Sequence, residues 1–103
     1  LSATDVDLTH PYLAQQAGRP VVLLDDGGRP VLGLDLAAPT AHRTSGGWES
    51  WSVELTGPAE PRLPQATYRV RFADGEEAWL FLVPSAADAD TSTYLSTFTR
   101  EAP

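Results

Sequence analysis

The stretch from Gln65 to Pro84 constrains the fold more than any other. Tyr68-Arg69-Val70-Arg71-Phe72 alternates apolar and charged residues, the period-2 pattern of a strand with one wet face. Asp74-Gly75 follows, a dipeptide that tolerates the positive φ angles of a two-residue type I′ turn. Ala78 to Val83 is then a continuous apolar run, and Pro84 stops it. A two-residue turn sets Val70 opposite Trp79 and Tyr68 opposite Phe81. Tyr68, Val70, Phe72, Trp79, Phe81 and Val83 then share one face. Thr67, Arg69, Arg71, Ala78, Leu80 and Leu82 share the other.

The first face, joined by Trp51, Val53 and Leu55, is the expected core. The second is unusual, because a sheet with one wet face places polar residues there. Either the short helix or the proline-rich 58–64 segment folds over Leu80 and Leu82, or the face is an intermolecular contact. In the second case Leu80 and Leu82 form its centre, and Arg69 and Arg71 meet carboxylates of another chain at the rim.

The rest of the chain reads as short strands between turn signals. Leu1 to Asp7 is polar and unpatterned. Thr9 caps a short helix over His10 to Ala17, with Gly18 as its stop. Val21 to Leu24 and Pro30 to Leu36 are strands joined by Asp25-Asp26-Gly27-Gly28. Ala38 to Gly47 is a loop. Trp48 to Leu55 is the third strand, with Glu49 on the same face as Trp51, Val53 and Leu55. The hairpin gives strands four and five. Ser85 to Ser92 is a polar loop, and Thr93 to Arg100 is the sixth strand. The 103 residues therefore make a single all-β domain. The expected architecture is a small antiparallel β-sandwich or partly open barrel of about six strands, with one short N-terminal helix.

Charge and composition narrow the partners. Fourteen acidic residues against seven arginines give a net charge of −7, which disfavours nucleic acid and anionic membranes. No apolar run approaches the ~20 residues of a membrane span. Cysteine is absent, so neither a disulfide framework nor a thiolate site is expected.

No catalytic constellation is legible, and no cofactor or metal is expected. His10 and His42 read as solvated, since a metal site needs three or four converging ligands. Asp88-Ala89-Asp90 lacks the glycine and distal glutamate of a calcium loop and reads as a local turn. Neither Gly27-Gly28 nor Gly46-Gly47 is followed by a lysine or a helix. Glu76 and Glu77 point to opposite faces of a strand and cannot act as a carboxylate pair. Trp48, at the mouth of a glycine-rich loop beside Glu49, is the one candidate ligand platform, of the kind that stacks on sugars.

Several segments resemble an uncharacterised bacterial family of about 100 residues. They are Thr56-Gly57-Pro58, Leu63-Pro64-Gln65-Ala66-Thr67-Tyr68-Arg69, Leu80-Phe81-Leu82-Val83-Pro84, Asp88-Ala89-Asp90 with Tyr94, and Leu8-Thr9-His10-Pro11-Tyr12-Leu13 with Gly18. Ala66 stands where the family has glycine, and Pro11 where it has alanine. The shared motifs are structural and carry no catalytic signature. Family members are often encoded beside phage-tail-collar proteins of the microcystin-dependent kind. The resemblance thus implies an accessory part of a tail-like or surface fibre. The expectation from sequence is a non-catalytic structural or interaction domain that packs on a protein partner or on its own copies. The alternative is a carbohydrate or small-ligand module using Trp48.

Overall fold

The computed structural model describes residues 7–40 and 42–101. The expectation of an unpatterned start at Leu1 to Val6 lies outside them. The elements are α1 (His10–Gln15), β1 (Pro20–Leu24), β2 (Pro30–Leu36), β3 (Arg43–Ser45), β4 (Trp48–Pro58), β5 (Ala66–Phe72), β6 (Glu77–Ala87) and β7 (Thr91–Glu101). Six strands close an antiparallel ring in the order β1, β2, β4, β7, β6, β5 and back to β1. The barrel is closed rather than partly open. β3 adds to the edge of β4 as a small exposed hairpin, where the sequence led us to expect only a loop. Its three polar residues carry no apolar alternation that would mark a strand.

Closure depends on a short ladder between β2 and β4, through Asp35–Thr56 and Leu36–Leu55. Gly57 follows directly, and a Cβ there would overlap the Leu34 side chain. Its lack of a side chain is what lets the two strands approach.

The central hairpin departs from the expected register. Its turn is a three-residue loop, Ala73-Asp74-Gly75. The Phe72 N–H donates to Glu76 O, the Gly75 N–H donates to Phe72 O, and Asp74 Oδ1 accepts the Glu76 N–H. Gly75, at φ 91°, supplies the left-handed residue that such a loop requires. The extra residue slips the pairing by one, so Val70 faces Ala78 and Tyr68 faces Leu80. A one-residue slip exchanges the two faces of a strand. Leu80 and Leu82 are fully buried, whereas Trp79 and Phe81 are 55% and 47% exposed. The uniformly apolar run of β6 could not choose its own face, and the turn chose it.

Val70, Phe72, Trp51, Val53 and Leu55 are buried as expected, with Leu34, Leu36, Leu80, Leu82 and Tyr94. Tyr68 and Val83 are half-buried. The interior of a six-strand barrel is narrow. Its β6 wall is built from Ala78 and two leucines rather than from Trp79 and Phe81.

Two segments cover the ends. At one end Thr9 Oγ1 accepts the Tyr12 N–H at 3.2 Å and starts α1, which drives Leu13 into the core. The helix ends at Gln15, short of the expected Ala17, and the Gly18 N–H donates to Leu36 O. At the other end the proline-rich connection after β4 crosses the barrel. Leu63 packs on the core, and its N–H donates to the Tyr94 hydroxyl at 2.9 Å. The polar loop expected at Ser85 to Ser92 shortens to Asp88–Asp90, because β6 and β7 continue to Ala87 and from Thr91. Asp88 Oδ1 accepts the N–H groups of Asp90 and Thr91, each at 2.8 Å, the local turn its sequence implied.

Candidate functional site

The residues named from sequence do not stay together. Leu80 and Leu82 point into the barrel, and Arg69 and Arg71 point out, so the expected leucine–arginine face does not exist. Trp48 and Glu49 also separate, as neighbours on a strand must. Trp48 is 54% exposed, while Glu49 is 7% exposed on the inward face of β4.

Glu49 belongs instead to a polar cluster at the helix end. Its Oε1 accepts from Arg100 Nε at 2.8 Å, and its Oε2 lies 3.2 Å from His42 Nε2. The Arg100 hydrogen bond, aided by His42, holds the Glu49 carboxyl below its usual range despite the opposing effect of burial. Arg100 also reaches Asp7 at 3.1 Å and lies 5.7 Å from the centre of the Trp51 ring. His10 and His42 sit edge to face with centres 5.8 Å apart, beside the same indole. The two histidines, read from sequence as solvated, meet around Trp51, with His42 exposed and His10 half-buried. A cleft of about 450 Å³ lies over them, lined by Thr9, His10, Pro11, His42, Glu49 and Arg100. Both Glu49 oxygens are engaged, and His10 Nε2 meets Thr40 O at 2.8 Å. Among the described residues no three ligating side chains converge on a metal position. The cluster ties α1 and the segment before β3 to the barrel. Its signal in the sequence was Glu49 itself, a carboxylate in register with Trp51, Val53 and Leu55, which cannot be buried without a cation.

The outward face of β5 and β6 is the second assembly, and register reasoning missed it. Thr67 lies opposite Phe81, Arg69 opposite Trp79 and Arg71 opposite Glu77. Glu77 holds both arginines, Arg69 at 3.3 Å and Arg71 at 3.0 Å. The Arg69 guanidinium carbon lies 5.4 Å from the centre of the Trp79 ring. Val83 and its partner Leu95, both half-buried, extend the apolar strip along the barrel. Beside Trp79, a cleft of about 330 Å³ runs to the β1–β2 turn at Asp25 and Asp26. The face can bind by apolar contact with a charged border. Among the described residues it presents no nucleophile hydrogen-bonded to a base.

No curated protein and no solved structure matches this chain. The family described as Domain of unknown function (DUF6916) matches residues 8–98, nearly the whole chain, and the protein belongs to that family.

Proposed function

We propose that the domain is a non-catalytic interaction module, an accessory or self-assembling subunit that docks on a protein through the outward face of β6. The observation that carries this reading is the exposure of Trp79 and Phe81, at 55% and 47%, two residues apart on one strand. Large aromatics at the centre of an apolar strip with a charged border match the anatomy of a protein contact. The border here is Arg69, Arg71 and Glu77. The commitment of both Glu49 oxygens to His42 and Arg100 supports a structural rather than catalytic role for the polar cluster. A tail-like or surface fibre is the assembly we assign, on the gene neighbourhood that the motif resemblance implies.

The test compares the assembly purified from its native source with that of Trp79→Ser/Phe81→Ser. Both side chains lie largely outside the core, so the variant should fold. The wild-type chain should carry further copies of itself or one stoichiometric protein, and the variant should run as a monomer. A wild-type monomer, or a variant that keeps the same assembly, refutes the reading. One observation favours a second reading. The cleft beside Trp79 holds the carboxylates of Asp25 and Asp26, which moves the carbohydrate alternative from Trp48 to Trp79. A monomer retained on a glycan array, and released by Trp79→Ser alone, would select it.

A further inference from the structure

This inference rests on the outer-face reading and specifies how the partner engages it. β6 and β7 share a ladder only between Val83–Ala87 and Ser92–Leu95. Below that level β6 keeps its ladder to β5, and β7 keeps its ladder to β4 as far as Glu101. Among the described residues nothing pairs β6 with β7 there. A wedge of about 430 Å³ lies between the strands, with Ala78 and Trp79 on one wall, Thr97 and Thr99 on the other, and Asp7 and Leu8, just before α1, also lining it. Trp51 reaches it from the interior, and its buried indole N–H has no acceptor among the described residues.

The β5–β6 ladder determines which backbone groups face this wedge. The Phe72 N–H donates to Glu76 O and Phe72 O accepts the Gly75 N–H, so both backbone groups of Phe72 face β6, and alternation extends the bonded pattern to Val70–Ala78 and Tyr68–Leu80. The N–H and C=O groups of Trp79 and Phe81 therefore point away from β5, into the wedge. The two residues that expose aromatic side chains also present an open backbone edge. Such an edge is a template for another strand. No proline or lysine guards it between Glu77 and Val83.

Charge at the mouth selects the occupant further. Counting on from the Val83–Leu95 pair sets Glu77 and Glu101 level with each other at the open end of the wedge. Glu76 and Glu101 are exposed there, and neither makes an ion pair among the described residues. The chain as a whole carries a net charge of −7. The wedge is bounded by β6 on one side and β7 on the other. We propose that an extended segment of a partner protein adds to the open edge of β6 in this wedge. Its outward side chains are apolar and lie beside Trp79 and Phe81. A lysine or arginine at its end meets Glu76 and Glu101. An inward serine or threonine would supply an acceptor for Trp51.

Two capped hexapeptides serve as probes with the full chain, Val-Thr-Val-Thr-Val-Lys and the same sequence ending in Glu. Amide hydrogen exchange is followed residue by residue by NMR. In the free protein the Trp79 and Phe81 amides should exchange at least ~10-fold faster than that of Leu80, because they lack ladder partners. The Lys peptide at saturation should slow both by ~10-fold, and the Glu peptide should bind at least ~3-fold more weakly. Glu76→Lys/Glu101→Lys should reverse that preference. Protection of Trp79 and Phe81 equal to Leu80 in the free protein would overturn the proposal, since the chain itself would then close the wedge. Failure of both peptides to bind would overturn it too. Peptide contacts that shift the Trp79 ring signals without slowing the amides would also overturn strand addition, while leaving side-on docking at the outer face intact.

Discussion

The register of the central hairpin can be tested with two substitutions one residue apart. Leu80 is fully buried in the barrel wall, and Phe81 is 47% exposed on the outside. Leu80→Ala removes a packed side chain from a narrow interior that cannot collapse freely, which costs ~3–5 kcal/mol. Phe81→Ala removes a ring that buries only about half its area. Full burial of such a side chain is worth ~1.5–3 kcal/mol, so the expected loss is about 1 kcal/mol. A domain of this size has a total stability of ~5–15 kcal/mol, so the first change consumes a large share and the second a small one. Urea unfolding followed by tryptophan fluorescence would measure both, provided the slope of the transition stays constant across the variants. In thermal melts the Leu80 variant should fall by at least ~12 °C and the Phe81 variant by less than ~8 °C. A two-residue turn at Asp74-Gly75 demands the reverse order, because it would place Phe81 inside and Leu80 outside. A Phe81→Ala loss exceeding that of Leu80→Ala would therefore refute the three-residue loop and everything built on the outer aromatic face.

Other expectations concern the closure point and the two titrating ends of the helix region. Gly57→Ala should cost ~1–3 kcal/mol by overpacking Leu34, and Gly57→Ala/Leu34→Ala should cost less than the sum of its parts, as read by the same urea series. The Glu49 carboxyl is held below its reference value of 4.5, chiefly by Arg100, so it stabilises the fold above that pH and loses its contribution as the pH falls through the lowered value. Thermal melts between about pH 5 and about pH 3 should therefore drop more steeply for the wild-type chain than for Glu49→Gln, and parallel slopes would contradict the ion-pair geometry. The Tyr12 hydroxyl is raised above its reference value of 10.0, by burial first and then by donating to Asp74, so its contribution is complete below that pH and is lost as the pH rises through the raised value. Tyr12→Phe should flatten the alkaline limb of the stability profile, and an unchanged limb would argue against the contact.

Much of the fold was legible because its strands carry period-2 patterns on one side of the chain. Trp51, Val53 and Leu55 alternate with serine and glutamate, and they point inward. Val70 and Phe72 alternate with arginine, and the same holds for them. The helix cap at Thr9 and the turn at Asp88 follow from short-range hydrogen bonds that the local residues specify by themselves. β3 was hidden because Arg43-Thr44-Ser45 is polar throughout and its strand character comes only from the neighbouring β4.

The site was less legible, and for a reason that a single strand cannot reveal. In Ala78-Trp79-Leu80-Phe81-Leu82-Val83 every residue is apolar, so periodicity offers no choice of face. The choice passes to the turn, and Asp74-Gly75 serves two loop lengths. Glycine at a positive φ ends the three-residue loop as readily as it completes a two-residue one. Asp74 then weighs against the shorter turn from outside the hairpin. Its carboxylate accepts the Tyr12 hydroxyl and the Gln16 amide from α1 as well as the Glu76 N–H. The helix thus touches the element that sets the register, and through it the faces of Trp79 and Phe81. A contact spanning some sixty residues of sequence sits beside the turn that decides which aromatic rings reach the solvent. Loss of that contact in Asp74→Ala should leave Gly75 alone to define the loop. The cross-strand contact between Arg69 and Trp79 should then weaken, which NMR would detect as fading nuclear Overhauser effects between their side chains. Full retention of that contact in Asp74→Ala would show that the interior volume of the barrel, and not the helix, fixes the register.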